Sequence, residues 1–88
     1  MSTLTAAARE QAVAILLAAV HVCAPGLVEP PATSLADRAP FRSGEELWAW
    51  AARDPELSWI RAALDPEVAT RARAVADGMV RARRDHAG

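Results

Sequence analysis

The side chains best suited to chemistry are few in this sequence, and their spacing keeps them apart. His21 and Cys23 stand two residues apart, and His86 lies near the far end of the chain. A zinc centre needs about four converging nitrogen or sulfur ligands. Residues two apart on a helix point in different directions, so this set predicts no metal centre. The acidic residues offer Glu45 beside Glu46, then Asp54, Asp65 and Glu67. Acid–base hydrolysis needs two carboxylates facing one cleft, whereas these fall where helices are expected to start. No Ser-His-Asp pattern, phosphate-cradling glycine loop or dinucleotide fingerprint occurs, and there are four Gly in all. These residues predict a protein with no catalytic residues and no cofactor.

The aromatic residues carry more. Trp48 and Trp50 sit two apart on one expected helix, roughly 160° round from each other, so they cannot share a face. Trp50 falls near Leu47 and Ala51 and is expected in the core. Trp48 then points elsewhere, toward a Pro-rich segment, a partner or a small ligand. Trp59 lies off the Leu57, Ile60 and Leu64 stripe of its own short helix. Tryptophan is prominent among interface hot spots and lines apolar pockets. Trp48, Trp59, Phe41 and Trp50 are therefore the candidate interface or pocket residues.

Four helices must position them. Thr3 or Thr5 can cap a first helix, about 4–24, closed by Pro25-Gly26. Its Val13, Leu16, Leu17 and Val20 form one face, with Ile15 and Val22 off it. A helix apolar nearly all round belongs at the centre of a bundle. The alternative is a homodimer seam at Ala8, Ala12 and Ala19. Residues 25–43 then form a long connection rich in Pro. Leu27, Val28, Leu35 and Phe41 could anchor it as a wrap across the bundle. Ser43 with Glu46 three residues on has the pattern of a reciprocal capping box, opening helix two, about 44–53.

The triplet Asp-Pro-Glu occurs twice, at 54–56 and 65–67. In each, Asp can cap a helix, Pro suits its first position and Glu complements the dipole. This places helix three at about 55–64 and helix four at about 66–84. Val68, Ala72, Val75, Met79 and Ala82 recur at three- and four-residue spacing in the last helix, predicting its buried stripe. Gly78 interrupts it at a cost of about 1 kcal/mol, for a close neighbour or a bend. Glu67–Arg71, Arg73–Asp77, Asp77–Arg81 and Arg81–Asp85 are spaced as helix-surface ion pairs.

Composition narrows the function classes. The chain has 88 residues, 52% of them hydrophobic, but about a quarter of all residues are Ala, which buries little surface. One small all-α domain of limited core follows, and stability in such domains often needs a partner. Formal charge is −1, with ten Arg and no Lys, so no electrostatic case exists for nucleic acid or an anionic membrane. Asp65 and Glu67 would moreover repel phosphate at the start of the last helix. One Cys fits a reducing cytoplasm. The apolar run Ala12–Ala24 is shorter than the roughly 20 residues of a membrane span. Arg9 and Glu10 before it cancel, so it also lacks the positive leader of a signal peptide.

From Phe41 onward, "FRSGEELWAWAARDPEL" and "ARAVADGMVRARR" resemble the C-terminal helical segment of bacterial class I methyltransferases that use S-adenosylmethionine on small molecules. Phe41, Ser43, Glu46, Leu47, Trp48, Trp50, Pro55, Asp77, Gly78, Met79, Val80 and Arg81 carry the resemblance, within residues 41–84. It implies a detached helical cap or substrate-side module. The Rossmann-like sheet and its glycine-rich turn have no counterpart here, so no catalytic residue transfers.

The sequence thus predicts a small all-α bundle of about four helices with a Pro-rich wrapping connection. Its expected role is a non-catalytic cytoplasmic interaction module that binds a protein partner or itself. The alternatives are a cap or accessory protein of a biosynthetic enzyme, binding a hydrophobic small molecule, and a small DNA-binding regulator.

Overall fold

A computed structural model of the chain describes residues 5–31 and 41–87, with side chains as far as residue 82. Among these the fold is all-α: α1 (Ala6–Cys23), α2 (Gly44–Arg53), α3 (Ser58–Ala63) and α4 (Pro66–Ala87). α1 and α2 begin where a side-chain oxygen satisfies a free N–H group. Thr5 caps α1, its hydroxyl accepting from the Ala8 N–H at 3.1 Å. Ser43 caps α2 by accepting from Glu46 N–H at 3.2 Å. The return half of the expected capping box lands one residue early, with Glu46 Oε2 accepting from the Arg42 N–H at 3.0 Å.

The two Asp-Pro-Glu corners differ. At the second, the Asp65 carbonyl accepts from Ala69 and α4 starts at Pro66, as expected. At the first, residues 55–57 form a turn and α3 begins only at Ser58. Asp54 closes that turn rather than capping the helix: its Oδ1 accepts from the Glu56 N–H at 2.9 Å. Leu57 takes the cap position with no side-chain hydrogen bond.

Two apolar clusters make the core. In one, Ala12, Ile15 and Ala19 of α1 pack with Leu47 of α2 and Ala76 and Val80 of α4. The other joins Leu16 and Val20 to Trp48, Ala51, Leu57, Ile60 and Ala72. Small residues let helix axes approach closely, and Ala12, Ala19, Ala72 and Ala76 are all fully buried. Two of the three alanines expected at a homodimer seam, Ala12 and Ala19, are therefore used inside the chain. α1 supplies residues to both clusters and packs against α4 and α2, and α4 packs in turn against both α1 and α2. Part of α1 stays outside, with Val22 64% exposed.

α1 is longer than its apolar run. At 18 residues it is long and apolar enough, by length and composition, to cross a membrane. Seven of its residues, lying between Gln11 and Val20, are buried.

The stripe on α4 is shifted from the one read in the sequence. Ala72, Ala76 and Val80 are fully buried, Val75 and Met79 only in part, and Ala82 is exposed. Gly78 faces solvent, and a Cβ built there would meet nothing within 4 Å. No close neighbour requires it. Gly78→Ala is therefore expected to stabilise the protein by about 0.4–1 kcal/mol, read as a higher urea midpoint at unchanged slope.

The connection leaves α1 as a turn and folds back. The Ala24 N–H bonds the Val20 carbonyl at 2.7 Å, and Leu27 N–H bonds Ala24. His21 Nδ1 lies 3.1 Å from the Val28 carbonyl; since a carbonyl only accepts, this nitrogen carries the proton. Leu27 and Val28 pack on the second cluster and Phe41 on the first, while the expected wrap between them, residues 32–40, lies outside the described residues. Leu35 lies outside the described residues.

Candidate interaction surface

The three tryptophans take three different positions, and only one matches its sequence assignment. Trp48 is core, 7% exposed, among Leu16, Ala51, Leu57 and Ile60. Trp50, expected inside, is half-buried and touches both clusters. The reason is that α2 has two covered sides. Leu47 faces the α1–α4 cluster, while Trp48 faces the side closed by α1 and α3. A helix buried on two sides gives no single stripe, so the near-opposite placement of Trp48 and Trp50 did not identify the outer one.

Trp50 is held by its neighbours. The Phe41 ring lies 5.5 Å from it, tilted by 45°, and the Arg9 guanidinium stands 5.5 Å over its face. Edge-inclined ring pairs and cations over aromatic faces are both favourable arrangements. Arg9 Nη1 also bonds Asp54 Oδ2, while its Nη2 lies 3.4 Å from Asp54 Oδ1 and 3.8 Å from Glu56 Oε1. The first Asp-Pro-Glu thus ties the corner between α2 and α3 to α1. The Arg9 guanidinium holds the Asp54 carboxyl below the ordinary carboxylate range, helped by the Glu56 N–H. Arg9 is in turn held charged above its ordinary value. Asp65 in the second triplet is exposed. Nothing in the sequence linked Arg9 to Asp54, 45 positions away.

A second polar node joins α2 to α4. Gly44 N–H donates to Asp77 Oδ1 at 2.7 Å, and Arg81 Nε donates to the other oxygen of Asp77 at 2.7 Å. Of the four ion pairs expected along α4, this Asp77–Arg81 pair is formed. A carboxylate at a helix N-terminus is favoured by the dipole. The Gly44 N–H first, and Arg81 after it, hold the Asp77 carboxyl below its ordinary value. The unfolded chain takes up its proton at the ordinary Asp value near 3.9, the folded chain only lower. This contribution is complete above that value and lost as pH falls through the folded one. Unfolding midpoints of the wild type are therefore expected to fall as the pH drops below about 4. Asp77→Asn keeps an oxygen for Gly44 but no charge, and should show a shallower fall over the same range by circular dichroism.

Trp48 and Phe41, two of the candidate interface or pocket residues, lie in different clusters. The space beside Trp48, between Leu16, Ala51, Leu57, Ile60 and Arg61, holds about 10 Å³. That is room for at most one water molecule. A larger, open depression of about 330 Å³ runs along α1, lined by Ala6, Val13, Leu17 and Pro31 with Arg9 and Glu10 at its edge. No group of three or more His, Cys, Asp or Glu side chains that could hold a metal ion occurs among the described residues.

Trp59 is where the sequence placed it. It lies off the buried side of α3, with Ile60 turned inward and Trp59 itself 49% exposed. The exposed neighbours on α3 are Arg61, Ala62 and Ala63, with Pro55 and Glu56 in the turn before it. α3 itself is only six residues long, too short to be stable alone. It is held by Leu57 and Ile60 below and by the Asp54 turn at its start. A large apolar ring is thus presented to solvent on an element fixed from both sides. No family model, curated protein or solved structure matches this chain.

Proposed function

We propose that this chain is a non-catalytic, cytoplasmic interaction module that docks on a protein partner or a second copy through the surface around Trp59. The observation that carries the reading is the 49% exposure of Trp59 in a chain whose Trp48 is buried. A half-exposed Trp leaves much of its apolar area in water, and its burial in a complex is among the strongest single contributions to an interface. Its rigid placement lowers the ordering cost of binding. The resemblance of residues 41–84 to the helical end of small-molecule methyltransferases suggests one class of partner, an enzyme that takes its cap from a separate chain.

A photo-crosslink tests this. A photoreactive phenylalanine analogue at position 59, in the full chain expressed in its native cells, is expected to give one dominant adduct. That adduct is either the dimer of this chain or a complex with one other protein. The same analogue at Arg71, exposed on α4, should not give it. Equal adducts from both positions, or none from position 59, would overturn the reading.

A further inference from the structure

We draw no further inference here: the strongest candidate, the open depression along the outer side of α1 between Val13, Leu17 and Pro31, carries nothing because no feature of the structure shows what covers it.

Discussion

Gly44→Ala should loosen the start of α2 from α4, although the same change at most helix positions is favourable. A Cβ at Gly44 would fall inside the contact distance of the Asp77 backbone N and Cα, and of its Cβ. Backbone atoms cannot rotate away as the end of a side chain can, so one helix must move. Overpacking of this kind costs about 1–3 kcal/mol. The shift would also break the Gly44 N–H bond to Asp77 that sets the register of α2 on α4. For a domain of this size each kcal/mol lowers the unfolding midpoint by roughly 4–8 °C. The opposite sign at Gly78 makes the pair informative. Two Gly→Ala changes, one on each side of the same interface, should shift the midpoint in opposite directions. A stabilising Gly44→Ala would mean that α2 does not approach α4 at Asp77.

Trp48→Ala should have the larger effect. The ring is closely surrounded by Leu16, Ala51, Leu57 and Ile60, so little slack exists to refill the volume removed. Truncation of a buried Trp costs about 3–5 kcal/mol. Small domains are stable by only about 5–15 kcal/mol, and one with so many Ala in its core sits toward the low end. The variant is expected to be partly unfolded at 37 °C, with helical circular dichroism reduced and the cooperative transition broadened or lost. Trp48→Phe retains a ring and should recover much of the loss. A Trp48→Ala protein with a near-native midpoint would show that this side of α2 is not core.

The reach of the sequence followed the range of the interactions. Caps act over three or four residues, and the signals at Thr5, Ser43 and Asp65-Pro66 sit where α1, α2 and α4 begin. The bounds of α2 agree to the residue. At Asp54 the local signal was correct for a turn but did not set the helix start, because the side chain is shared with Arg9 of α1. Gly44 was read only as part of a helix start, and its close approach to Asp77 depends on an element 33 positions later. Burial on α4 was misplaced in part by its alanines, and Val80, fully buried, was also left off the stripe. Ala is equally at home on either side of a helix, so Ala76 was overlooked and Ala82 assigned inward. The position of Trp59 was readable because Leu57, Ile60 and Leu64 leave α3 a single inner side. α2 has two, and there Trp48 and Trp50 were exchanged.

The division of roles between Trp48 and Trp59 is the centre of this account, and complex formation by Trp59→Ala tests it most directly. An exposed position away from caps and packing tolerates substitution within about 0.5 kcal/mol. The unfolding midpoint should therefore stay within roughly 4 °C of the wild type. In the same samples, sedimentation should show the wild-type complex, with itself or with the crosslinked partner, weakened at least about tenfold, the loss of a hot-spot residue. A Trp59→Ala chain that assembles as the wild type does, or that loses stability as Trp48→Ala does, would contradict the account.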